Sequence, residues 1–170
     1  SAARPSFGKT LPRPATTSPG DPASLRRSLK RMIPSMSSEP IVALNSPEIS
    51  PPAGHYSHVC VAGGFVQVSG QLPIAPDGTP LRDSSFAAQA RQVLANLDAC
   101  LGEAKTSRDK LVQVRVFVTD IGDWPLFNEI YKDWIGDHKP ARAVAGASEL
   151  HYGLAVEVEA VALATGRSGP

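Results

Sequence analysis

Cysteine is scarce: the 170 residues contain two, Cys60 and Cys100. Two thiols cannot build a disulfide framework, and alone they cannot fill a four-ligand zinc site. Aromatic residues are also few, at 6%. No apolar run approaches the ~18 consecutive residues from which a membrane-spanning helix is read. Net charge is nearly absent at +1, but that total averages two unlike segments. Residues 1–36 carry seven Lys/Arg against Asp21 alone, a net of +6, while residues 37–170 carry ten against fifteen acids, a net of −5. An acidic globular portion counts against nucleic acid as its partner.

Proline divides the chain in a similar way, with ten of sixteen before residue 56. Residues 1–36 are rich in Pro, Ser, Arg and Ala, and cannot bury enough apolar area to offset their ordering entropy. They read as a tail, disordered or extraneous to the fold, followed by a domain over 37–166 and a short tail over 167–170. Ser24–Ile33 fits a short basic amphipathic helix, and an Arg/Ser-rich, acid-poor start also fits a transit peptide. With no secretory apolar segment, a cytoplasmic location is expected, or a mitochondrial one if the tail is a transit peptide.

From Ile41 the pattern changes. Ile41–Leu44 is a short β-like run. His58–Ala62 and Phe65–Ser69 read as strands joined by Gly63-Gly64, which admits the positive φ values of a tight hairpin. A helix is predicted over Ser84–Ala104, where Phe86, Ala90, Val93, Leu94, Leu97, Cys100, Leu101 and Ala104 form one apolar stripe. Asp83, Ser84 or Ser85 can cap it. Lys110–Thr119 alternates, with Val112, Val114, Val116 and Val118 on one face. Asp123 is placed to cap a second helix, with Pro125 in its first turn and Phe127, Ile130, Tyr131 and Trp134 as its stripe. Two strands follow, at Ala143–Leu150 and Leu154–Leu163. Two helices on one face of a mixed sheet make a small α+β sandwich.

In the last strand Glu157 and Glu159 share a face, opposite Val156, Val158, Ala160 and Ala162. The pair reads either as a solvated face or, because Phe65, Phe117, Val161 and Leu163 join it, as one that meets a partner. Arg142 stands at the start of a strand, where a guanidinium can clamp a carboxylate by two parallel hydrogen bonds. On an adjacent strand, a Glu would place an acid/base group beside that anchor. His55 and His58, three apart in an extended segment, fall on opposite faces and make a poor metal pair. Cys60 and Cys100 read as buried small hydrophobes, and Trp124 and Trp134 as helix packing.

Several segments then act together. Pro140-Ala141-Arg142 with Val156-Glu157-Val158-Glu159-Ala160-Val161-Ala162 resembles the C-terminal signature of the reactive-intermediate deaminase family, Rid or YjgF-like. Ser50–Ser57 resembles that family's opening motif ending in Tyr-Ser, and Ser69-Gly70-Gln71-Leu72-Pro73 its Ser-Gly-Gln-Ile/Leu-Pro motif. Gln89–Leu97 is similar to its first helix, Val116–Asp120 to its central strand, and Asn128–Tyr131 to its second helix. The likeness covers residues 40 to 164.

The resemblance implies a six-stranded mixed sheet with two helices on one face (the chorismate-mutase-like, YjgF-like α+β fold). It also implies a homotrimer with a barrel-like centre and clefts between subunits. Its activity would be hydrolysis of 2-imino acids and their enamine tautomers to 2-keto acids and ammonia. Arg142 would hold the substrate carboxylate and Glu157 would handle water and proton. Tyr56, Ser69, Gly70 and Val144 would line the substrate site, Gly70 by allowing close backbone approach, and Glu159 would be a supporting or interface charge. No metal or organic cofactor is implied, since a protonated imine is already electrophilic. Departures from the pattern are Ala143-Val144 after the arginine, His55, His58, and Leu150-His151-Tyr152 where Leu-Pro is usual. The same fold would also suit a non-catalytic module binding small carboxylates. A ribonuclease or translation inhibitor is a further alternative, opposed by the net charge of −5.

Overall fold

The computed structural model describes residues 40–165, so the basic tail, the Ser24–Ile33 segment and residues 166–170 lie outside the described residues. Six strands and two helices follow in the order β1 (Val42–Leu44), β2 (Val59–Ala62), β3 (Phe65–Gln71), α1 (Phe86–Glu103), β4 (Leu111–Val118), α2 (Trp124–Ile135), β5 (Ala141–Gly146) and β6 (Val156–Leu163). They form one sheet ordered β1-β2-β3-β6-β4-β5. β4 and β5 run parallel and every other pairing is antiparallel. Gly63 and Gly64 both have positive φ, 57° and 80°, which is the backbone a two-residue hairpin with right-handed strand twist requires.

Both helices cover the same face. Val59, Val66, Val114, Val116, Val118, Val156, Val158 and Ala162 from the sheet meet Val93, Leu94, Leu97 and Leu101 of α1 and Phe127 of α2 in one core. Ser85 caps α1, its Oγ accepting from Ala88 N at 3.3 Å. At the far end of α1, Asp98 takes two hydrogen bonds from Arg108, at 2.7 and 2.6 Å, and one from Trp134 Nε1 at 2.8 Å. That junction ties α1 to α2, the packing role expected of Trp134.

Four local expectations fail. Val112 does not join the buried face of β4. The β4–β6 register slips between Leu111 and Gln113, so Leu111 is buried instead and Val112 is 41% exposed. Asp123 makes no side-chain cap on α2, because a short 3-10 turn over Ile121–Asp123 already delivers the chain in helical conformation. The penultimate strand ends at Gly146 rather than Leu150, and a turn over His151–Gly153 precedes β6. Cys60 is only half-buried, with its sulfur 3.4 Å from Ser57 Oγ, whereas Cys100 is fully buried and its thiol pKa is pushed up to about 12 by burial. No helix among the described residues is long and apolar enough to cross a membrane.

Leu97 is fully buried at the contact of α1 with the sheet. Leu97→Ala is expected to lower stability by about 3 kcal/mol. In urea titrations the midpoint should fall while the denaturant slope stays constant.

Candidate active site

The sheet's uncovered face carries the carboxylates. β6 lies between β3 and β4, and its alternation sends Val156, Val158, Ala160 and Ala162 into the core and Glu157 and Glu159 outward. Arg115, directly across on β4, pairs with Glu159 through Nε at 2.5 Å. Glu157 sits opposite Phe117 and has no salt bridge among the described residues. Burial pushes the Glu157 pKa up from the ordinary glutamate value. Nearby His151 pulls it down, and the Glu159 charge pushes it up.

Gly70 explains how a carboxylate settles so close to the sheet. Pairing of β3 with β6 is regular through Val68↔Ala160 and resumes at Gln71↔Val158, so β3 carries one extra residue there. A Cβ on Gly70 would overlap Glu157 Oε1 and stand 3.0 Å from its Cδ. Glycine is therefore the residue the approach demands. Ser69 is committed to the backbone, its Oγ donating to Ser57 O at 2.7 Å.

Gly70 also borders a cavity of about 370 Å³ whose wall includes Tyr56 and Tyr152. Tyr56 is 51% exposed and Tyr152 48%. Tyr152 adopts φ 62°, ψ 15°, a left-handed conformation that costs a non-glycine residue about 1 kcal/mol. Two further lining side chains are fastened to backbone. His58 is buried, and its Nδ1 accepts from Ser46 N at 3.2 Å. Burial outweighs its backbone hydrogen bond with Ser50 and lowers its pKa, which favours the neutral, accepting ring. Asn96 donates to Leu72 O and Ile74 O, both at 2.9 Å, binding α1 to the loop beyond β3.

Arg142 belongs to a second cluster. It lies on β5 opposite Val114, a core residue, and therefore on the helix-covered face. Its guanidinium carbon stands 4.8 Å from the Trp124 ring centre and 4.6 Å from that of Tyr131. Its Nη2 donates to Asn128 Oδ1 at 3.0 Å. Two aromatic contacts and one hydrogen bond hold the planar group while leaving other N–H donors for a ligand. The Tyr131 hydroxyl is a buried side-chain polar atom with no hydrogen-bond partner among the described residues. Burial raises its pKa, against the lowering effect of Arg142. Val144 lies two residues along β5 from Arg142 and packs against the core.

The predicted site residues thus fall into two groups. Glu157, Gly70, Ser69 and Tyr56 gather around β3 and β6, and Arg142 and Val144 stand on β5. The expectation that Arg142 and Glu157 occupy adjacent strands is corrected, because β4 separates β5 from β6 and the two side chains leave opposite faces of the sheet. Trp124, assigned in sequence to helix packing, instead covers Arg142. Trp124, Asn128 and Tyr131 follow one another at spacings of four and three on α2, and that spacing was the available signal for a shared helix face.

The raised pKa of Glu157 has a stability consequence. Between its ordinary and its raised value the folded chain binds more protons than the unfolded one, so its contribution to stability declines as pH rises through that window. Glu157→Gln removes the buried charge. Its melting temperature is expected to exceed the native protein's at pH 7, and the gain should shrink as pH falls into the ordinary carboxylate range. Calorimetric scans across that range would check the sign.

Residues 47–164 match the family described as Endoribonuclease L-PSP. The curated relative "Protein MMF1, mitochondrial" of Saccharomyces cerevisiae is 37% identical over 119 residues, covering 69% of this chain and 81% of that protein. Among solved structures, RidA from the Antarctic bacterium Psychrobacter sp. PAMC 21119 superposes with a TM-score of 0.68 at 31% identity, covering 72% of this chain and 98% of the other. Escherichia coli TdcF with bound serine has the same TM-score at 27% identity, again covering 72% and 98%. With this sheet order, the two helices on one face and these matches, the chain belongs to the endoribonuclease L-PSP family, the Rid/YjgF family.

Proposed function

We propose that this protein hydrolyses 2-imino acids: R–C(=NH2+)–COO− and water give R–C(=O)–COO− and NH4+. The observation that carries this reading is the pair of clusters. One holds a guanidinium flanked by two rings with donors to spare, and the other a half-buried carboxylate of raised pKa seated on a glycine. Arg142 would take the substrate carboxylate along its remaining donor edge, and the rings fix the plane of that edge. Glu157 would accept a proton from water as the oxygen attacks the imine carbon. It would then return that proton to the nitrogen as the C–N bond breaks, and the departing ammonia takes up the hydroxyl proton as the C=O forms, giving NH4+. Burial raises the Glu157 pKa, and a raised pKa makes a carboxylate a stronger proton acceptor. Bound serine in the related TdcF structure supports a small amino-acid-like carboxylate as ligand.

One chain does not bring the two clusters together, so the reading requires association. The uncovered sheet face carries Phe65 and Leu163 at 42% and 45% exposure, with half-buried Phe117 and Val161 beside them. Burying that face against other copies removes the apolar area from water. A homotrimer would set Arg142 of one copy toward Glu157 of the next. RNA cleavage, which the family's description suggests, is opposed by the net charge of −5 over residues 37–170.

The test generates 2-iminobutanoate in place with an amino-acid oxidase and follows its loss against a semicarbazide trap. The native protein is expected to accelerate that loss, and Arg142→Ala and Glu157→Gln should each lower kcat/KM by about a hundredfold or more. Co-refolding the two inactive variants should restore part of the activity, because some mixed boundaries regain an intact Arg142 and an intact Glu157. No acceleration by the native protein, or undiminished turnover by Arg142→Ala, would overturn the reading. A mixture as inactive as its components would overturn the shared site.

A further inference from the structure

Resting on that reading, we infer that the cavity between Tyr56 and Tyr152 receives the substrate's side chain and selects 2-imino acids with bulky, uncharged apolar side chains. The cavity touches the candidate chemistry at two points. Gly70 lies both in its wall and beneath the Glu157 carboxylate. Tyr152, also in its wall, directly follows His151, whose charge bears on Glu157. A substrate with its reacting carbon at Glu157 therefore has this space beside it.

The character of the space follows from which polar groups remain available. His58 is engaged by Ser46 N at 3.2 Å. Gln71 Nε2 donates to Ser69 O at 3.0 Å, and the Asn96 amide is spent on Leu72 O and Ile74 O. With these groups paired, the wall offers the faces of Tyr56 and Tyr152 and the apolar side chains of Ile49, Leu72 and Ile74, beside the polar Ser50 and Asp77. A volume of about 370 Å³ holds roughly a dozen waters at the liquid density. Exchanging such water for hydrocarbon favours a large apolar substituent over a methyl group. The exposed Asp77 carboxylate, also on the wall, would repel an acidic side chain.

Tyr152 is the residue that makes this selection particular to the chain. It holds φ 62° although a glycine with φ 68° follows it, and the turn is closed by Gly153 N to Leu150 O at 3.3 Å and Leu154 N to His151 O at 3.2 Å. A tyrosine in that conformation is a strained choice for an exposed turn, and strain of this kind gathers where a side chain has to be presented. Glycine and asparagine accept the same φ, so replacing Tyr152 with either removes the ring without refolding the turn.

The experiment compares kcat/KM for the phenylalanine-derived and alanine-derived imines, each produced in place by an L-amino-acid oxidase. The native protein is expected to favour the phenylalanine-derived imine by about tenfold or more. Tyr152→Gly and Tyr152→Asn should bring the ratio toward unity. Equal rates in the native protein, or a preference unmoved in both variants, would overturn the inference. Calorimetry with phenylpyruvate and pyruvate separates it from the catalytic reading. Phenylpyruvate bound about tenfold tighter, with that margin lost in Tyr152→Gly, would uphold selection even if neither imine were hydrolysed. Equal affinity, or no binding of either acid, would overturn it.

Discussion

The two-sided character of β6 is the constraint on which the rest depends. It is central in the sheet, paired with β3 on one side and β4 on the other. Every second residue must fill the space beneath the helices, and Val156, Val158, Ala160 and Ala162 do so. The residues between them are thereby forced onto the uncovered face. A carboxylate at 157 is half-buried there because its neighbouring strand yields a glycine and an extra residue at the right place. Desolvation then raises its pKa, while Glu159 on the same face pairs with Arg115. Two glutamates of the same strand and face thus have different surroundings, and only Glu159 has a cation opposite it.

Arg142 illustrates the complementary arrangement. It is not buried in an ion pair but pressed between aromatic rings, with Asn128 as its only side-chain hydrogen-bond partner among the described residues. Such contacts orient a guanidinium while leaving donors unspent, whereas a bidentate carboxylate of the kind Asp98 gives Arg108 would consume them. The two arginines show how neighbours decide whether a guanidinium is a structural tie or an available anchor.

Much of the architecture is legible in the sequence. The Gly63-Gly64 hairpin, the α1 stripe and the alternation of β6 are each set by short-range periodicity, which the observed elements reproduce within a few residues. The failures share a cause. The slip at Val112, the turn that supersedes the Asp123 cap, and the end of β5 at Gly146 all depend on how neighbouring elements fit, and no local period records that. Gln89 and Asn96 are similar cases. They lie on α1 among its apolar stripe, yet they fasten loops, Gln89 by accepting from Ala155 N at 2.8 Å and Asn96 by donating to the loop after β3. A buried polar side chain on a helix is explained only by the backbone groups brought opposite it.

What the sequence by itself determined is the set of elements, the face each must bury, and the residues able to carry charge at Glu157 and Arg142. Side-chain alternation and helical spacing act over a few residues, so they can be read without knowing the fold. Which strand lies beside which, and hence that β4 stands between the guanidinium and the carboxylate, was decided only by the tertiary structure. So was the stacking of Trp124 and Tyr131 on Arg142. Strand order follows from how crossovers pack two helices over one face of a single core, a property of the whole chain that no local pattern carries.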